Sequence, residues 1–201
     1  ATPVGQATPV GQATPVGQPL PHEAAVVALA ASRDGKKLAV ATFDAAVTLW
    51  DLSANPKSSI MATFERPAVE MFWDKDDRLN VVTDGGSWLL LDATLKPIET
   101  VPLAAAGVAF RSLSSDSGML AWVPANRIPV SQPPMTGEIR IPLGELRLTA
   151  HSGQADTVLP LASGARQVGW APSATGTEVP LVLNDLGQLI APRVTGDPEV
   201  L

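Results

Sequence analysis

Residues Ala41–Leu52 read ATFDAAVTLWDL: the end of one apolar, β-branched run, a short polar turn around Asp44, and a second run that closes on Trp50-Asp51. Working outward, the run before it is LAVAT (Leu38–Thr42), preceded by the turn SRDGKK and the run VVALAA (Val26–Ala31). After VTLW (Val47–Trp50) come the polar loop DLSANPKS and the run SIMATF (Ser59–Phe64). Short runs rich in valine and leucine, separated by tight polar turns, predict four strands joined by hairpins into one antiparallel meander. The pattern then recurs as AVEMFW (Ala68–Trp73), LNVVT (Leu79–Thr83), SWLLL (Ser87–Leu91) and PIETV (Pro97–Val101). The two units start at Val26 and Ala68, 42 residues apart. Four strands repeating at a period in the low forties is the pattern of a propeller blade.

On these residues the segment His22–Leu52 resembles a repeat of the WD-repeat β-propeller family. The resemblance implies a hydrogen-bonded set made of His22, Thr42, Asp44 and Trp50, with Trp50-Asp51 as the dipeptide that names the family. In that set Asp44 accepts from His22, His22 bonds the Thr42 hydroxyl, and Thr42 accepts from the Trp50 indole. Each charged bond would contribute roughly 1.5–3 kcal/mol. The implied role is structural, stapling loops to strands.

The second unit keeps Thr83 and Asp84 but has Leu91 in the tryptophan position. A third starts near GVAFRS (Gly107–Ser112) and continues with MLAWV (Met119–Val123). An insertion, Pro124–Thr136, separates it from GEIRI (Gly137–Ile141), which reads as the unit's third strand; either LRLTA or DTVLPL is its outer strand. A fourth comprises RQVGWA (Arg166–Ala171), VPLVL (Val179–Leu183) and QLIAP (Gln188–Pro192). The expected fold is all-β, a WD-type propeller over residues 19–201 with blades at about 22–64, 65–102, 103–161 and 162–201. Propellers of this family close with more blades, and an open array of four exposes apolar sheet faces at both ends. The array is therefore a fragment, a small closed ring, or a unit completed by another chain. GQPLPH (Gly17–His22) is a candidate clasp strand for closure.

Residues 1–18, three copies of ATPVGQ, combine a helix-blocking proline with a glycine in every unit and read as an extended linker or tail. Across the 201 residues, 45% are hydrophobic and 17% charged, a globular balance, while 19 prolines and 16 glycines favour short elements and many turns. A net charge of −6 with scattered lysine and arginine argues against nucleic-acid partners. No apolar run reaches the ~20 residues of a membrane span. Cysteine is absent, which removes disulfides and thiolate chemistry and slightly favours a cytoplasmic setting.

No GxSxG, GxGxxG or P-loop occurs, and two histidines, His22 and His151, are too few for a zinc site without cysteine. His151 reads as a surface residue, and Asp74, Asp76 and Asp77 read as a solvated turn rather than a calcium loop. Trp73, Trp88, Trp122 and Trp170 fall on strands and are assigned to packing between blades. No catalytic, cofactor-binding or metal-binding residue is assigned. The best binding candidate is the proline-rich insertion, read as an interaction loop carrying Asn126, Arg127, Gln132, Pro133 and Pro134. The expected function is a non-catalytic scaffold for protein partners. The alternatives are an accessory subunit of a large assembly, or a propeller enzyme with carboxylates in its channel.

Overall fold

The computed structural model describes residues 19–53, 58–103, 108–114, 118–132, 135–142, 144–151, 156–173, 175–192 and 199–200. The ATPVGQ repeats, Gly17 of the candidate clasp, Pro133 and Pro134 lie outside them.

Strands β1 (Val26–Ala31), β2 (Lys37–Thr42), β3 (Ala46–Asp51) and β4 (Ser58–Thr63) pair in chain order as one antiparallel sheet. Strands β5 (Ala68–Trp73), β6 (Leu79–Thr83), β7 (Ser87–Leu91) and β8 (Pro97–Pro102) form the second in the same way. Turn chemistry sets both registers. Thr42 and Thr83 each accept the N–H of the residue three positions on, Ala45 and Gly86, at 3.1 Å. Those residues take φ values of +67° and +78°, a conformation that suits glycine and strains alanine.

The third sheet departs from the sequence reading. β9 (Val108–Leu113) pairs with β10 (Met119–Gln132), and β10 runs on through the supposed insertion. Only its first part lies inside the blade, where Met119–Trp122 oppose Ala150–Arg147 of β12 (Glu145–Ala150). Its remainder, Ala125 to Gln132, pairs residue for residue with β11 (Met135–Pro142). Gly137–Ile141 is thus a strand, but of a protruding two-stranded ribbon and not of the blade. The third strand is β12, and the outer strand is β13 (Thr157–Pro160). Alternating apolar residues specify a strand; they do not specify its neighbour, and here β11 pairs with the continuation of β10.

The fourth sheet is β14 (Ala165–Pro172), β15 (Glu178–Asn184), β16 (Leu189–Ala191) and β17 (Glu199–Val200). Its outer strand is β17 from the chain's own end, and residues 19–22 pair with no strand among the described residues.

All four innermost strands carry a β-bulge near their start, one residue opposing none at Val27, Val69, Ala109 and Arg166. A bulge bends and twists its strand, so one device shapes the inner rim of every blade although its residues differ. Three apolar clusters bridge successive sheets. Ala41, Val47 and Leu49 meet Met71, Val81 and Leu91 between the first and second. Val82 and Trp88 meet Val108, Leu120 and Trp122 between the second and third. Ala121, Val123 and Leu146 meet Val168 and Val182 between the third and fourth. Among the described residues no cluster joins the fourth sheet to the first.

Candidate functional site

At the first blade the structure brings His22, Thr42, Asp44 and Trp50 to one corner but bonds only two of them. The Thr42 hydroxyl donates to Asp44 Oδ1 at 2.5 Å. That bond is the main reason the Asp44 carboxyl sits below its ordinary pKa. The His22 ring stands edge-on to the Trp50 indole, with centroids 6.0 Å apart. The indole N–H of Trp50 is buried with no hydrogen-bond partner among the described residues.

Polar relays that take up the indole N–H occur in the second and third blades, at two tryptophans, Trp88 and Trp122, that the sequence reading assigned to packing. The Trp122 indole donates to Thr149 Oγ1 at 2.8 Å, and the Thr149 hydroxyl donates to Asp156 Oδ1 at 2.6 Å. Arg147 closes the group: its guanidinium lies 5.5 Å from the Trp122 ring and 3.5 Å from Asp156. The Trp88 indole donates to Asn80 Oδ1 at 3.0 Å, and His151 Nε2 lies 3.1 Å from the same oxygen. Because that oxygen only accepts, Nε2 carries the proton. His151 is not the surface residue the sequence suggested: its ring lies against Trp88, centroids 3.7 Å apart, with Nδ1 3.6 Å from the Glu99 carboxylate. Burial pushes its pKa below 6.5, opposed by Glu99. The family pattern puts tryptophan on the third strand and the hydroxyl on the second. Here Trp122 is on the second and Thr149 on the third, so a motif scan passes over them.

Each junction between blades also carries a side-chain N–H aimed at a backbone carbonyl of the preceding innermost strand. Trp73 Nε1 donates to Ala30 O at 3.0 Å, and Trp170 Nε1 to Ser112 O at 2.9 Å. Between the second and third sheets Arg111 does this instead, donating from Nη2 to Val69 O at 2.9 Å while its Nε stands 2.7 Å from Glu70 Oε2. Burial raises the Glu70 pKa and Arg111 partly offsets it.

Of the candidate interaction loop, Asn126, Arg127 and Gln132 lie in strand β10, so the segment is a β-ribbon where a loop was expected. Asn126 is exposed. Asp74, Asp76 and Asp77 are taken up by cations: Asp74 and Asp76 pair with Arg78 at 2.8 and 3.2 Å, and Asp77 pairs with Lys37. Among the described residues no group of three histidine, aspartate or glutamate side chains gathers as a metal site would.

No family model matches the chain, and no curated protein matches it. Solved structures do. The WD40 repeats of RRP9 superpose with a TM-score of 0.63 at 11% identity, over 90% of this chain and 52% of that one. Raptor from Chaetomium thermophilum gives 0.67 at 12% identity, over 90% of this chain and 16% of that one. The computationally designed Ika4 protein gives 0.56 at 12% identity, over 92% of this chain and 99% of that one. The chain therefore spans about half the length of RRP9 and nearly all of the designed protein. Identities this low speak to fold alone: the chain has a WD40-like β-propeller fold, with four blades among the described residues.

Proposed function

We propose that the chain is a non-catalytic scaffold for protein–protein interaction and that the β10–β11 ribbon is its principal binding element. The observation that carries this reading is the way β10 leaves the third blade. Beyond Pro124 it pairs only with β11 among the described residues, so the ribbon offers a backbone edge on each side. Unpaired N–H and C=O groups in an extended edge accept a further strand, and alternate side chains then select the partner. Asn126, Arg127 and Gln132 lie along this ribbon, and Pro133 and Pro134 of the expected interaction segment fall outside the described residues. The hydrogen-bonded indoles of Trp88 and Trp122 in the blades support the rigid base that a recognition element needs.

The test is to replace residues 126–141 by Asn-Gly, a two-residue turn suited to joining Ala125 and Pro142, which oppose one another in the ribbon. The shortened chain should melt as the full one does while losing at least tenfold in affinity for any partner isolated with the full chain. Unchanged affinity and stoichiometry would sink the reading.

A further inference from the structure

We propose that the β11 edge of the ribbon pairs with the β11 edge of a second copy of this chain, antiparallel and centred on Ile139, so that two ribbons become one four-stranded sheet. The inference rests on the reading of the ribbon as a binding element and names the partner of one of its two edges.

Prolines decide which edge is competent. Residues opposite one another in an antiparallel pair alternate between those that exchange both backbone bonds and those that turn both groups outward. A proline has no N–H to exchange. Pro129 opposes Glu138 and Pro142 opposes Ala125, an even number of positions along, so both fall in the outward class. The pairs of Arg127 with Arg140 and of Ser131 with Thr136 belong to the same class. Thr136, Glu138 and Arg140 therefore present N–H and C=O along the free side of β11, which pairs with β10 alone among the described residues. The free side of β10 carries Arg127, Pro129 and Ser131 and lacks a donor at its centre. One edge is complete and the other is blunted.

Charge then selects the occupant. When two β11 edges pair, outward residues exchange bonds with outward residues. Centred on Ile139, Glu138 of each copy stands opposite Arg140 of the other, twice about the two-fold axis. Ile139 meets Ile139, and Gly137 meets Ile141. Centred on Glu138 instead, two carboxylates would oppose one another, which destabilises a sheet. A strand whose charges complement its own reverse is suited to an isologous contact, one patch matched to itself. The register also places Asn126 with Ile141, Ile128 with Ile139 and Val130 with Gly137 on one side of the ribbon. Pairing joins the largely apolar sides of two ribbons into one face. A lone two-stranded ribbon is marginal in water, whereas a wider sheet with an apolar face is stable.

Light scattering on the full chain over a concentration series reads the assembly. The expected species has twice the 20.9 kDa of one chain and dissociates on dilution. Glu138→Lys and Arg140→Glu each turn two opposite-charge pairs into two like-charge pairs, so each alone should raise the dissociation constant at least tenfold. An equimolar mixture of the two variants, or one chain carrying both substitutions, restores opposite charges and should recover the dimer. Glu138→Pro removes an outward N–H that β10 does not use, and it should also give a monomer. These positions lie outside the blades, and circular dichroism with a cooperative melt checks that each variant is folded. A wild-type chain that is monomeric at every concentration overturns the proposal and leaves the edge to a strand of another protein. So does a dimer indifferent to both charge reversals, and so does a mixture that stays monomeric. The ribbon deletion separates the two readings. A monomeric parent whose shortened form still loses its isolated partner sinks this inference alone. A charge-dependent dimer whose shortened form keeps that partner sinks the scaffold reading alone.

Discussion

Trp50 and Trp122 exchange roles between the sequence and the fold: the first was expected in a hydrogen-bonded set and the second only in packing. Trp50 sits in the repeat that reads most clearly as a WD unit, yet its buried indole N–H has no partner among the described residues. Trp122 sits in a repeat whose motif is unrecognisable, and it is 0% exposed with its N–H carried through Thr149 to Asp156. The difference lies in what surrounds them. Trp122, like Trp88, is held at the junction of the second and third sheets, with apolar side chains from both. Trp50 lies on the rear face of the first sheet, which has no neighbour among the described residues. A tryptophan with the right companions in sequence still needs a second surface to set the depth at which its N–H meets an acceptor.

Three substitutions would break or sharpen this contrast. The largest effect is expected from Trp122→Ala. Emptying a fully enclosed indole site removes burial and leaves a cavity, so the loss should be about 3–5 kcal/mol, read from urea midpoints at constant slope. Trp50→Ala should cost less, because Trp50, 9% exposed, packs against no neighbouring sheet among the described residues. Equal losses would mean that the first blade is enclosed after all. Next is Thr149→Val, which keeps the shape but strands the Trp122 donor and leaves Asp156 with Arg147 alone; about 1–3 kcal/mol should be lost. A neutral result would show that the relay is geometry without energy.

His151 extends the comparison to pH. Burial holds its pKa below 6.5, with Glu99 as the main opposing charge, Arg78 lowering it and Asp74 raising it. The unfolded chain therefore binds a proton more readily than the folded one once pH falls below about 6.5. Stability should be full above that pH and decline as pH drops toward the folded value, by less than ~1.4 kcal/mol per pH unit. His151→Gln should flatten that decline. Glu70 works in the opposite sense, since burial raises its pKa above 4.5 and its contribution is lost as pH rises through the folded value. The variant difference isolates His151, and an unchanged pH profile in His151→Gln would rule its burial out as the cause.

Strand positions in the first two blades were legible because turn and strand chemistry are local. The expected VVALAA, AVEMFW, LNVVT and SWLLL are β1, β5, β6 and β7 with the same bounds. Pairing is not local. Gly137–Ile141 has the alternation of a strand and is one, but its partner depends on β10 continuing past Val123, which no short pattern announces. The polar relays were hidden for a similar reason. Trp88 and Asn80 stand eight positions apart on neighbouring strands, while His151 reaches the same oxygen from 71 positions away, on the loop after β12. The repeated bulges were hidden too, because Val27, Val69, Ala109 and Arg166 share a backbone role and no side-chain chemistry.

The smallest expected effect is the sharpest test. Trp50→Phe removes an indole N–H that is buried without a partner among the described residues, together with part of the ring. Losing the ring area destabilises, while removing an unsatisfied donor returns about 1–3 kcal/mol of desolvation cost. The two nearly cancel, so the variant should fall within about 1 kcal/mol of the parent. Trp122→Phe makes the same chemical change where the donor is satisfied, and there both terms have the same sign. The two melts side by side therefore measure the state of one hydrogen bond. If Trp50→Phe costs as much as Trp122→Phe, the Trp50 indole has an acceptor in solution, and the relay of His22, Thr42 and Asp44 is where to look for it.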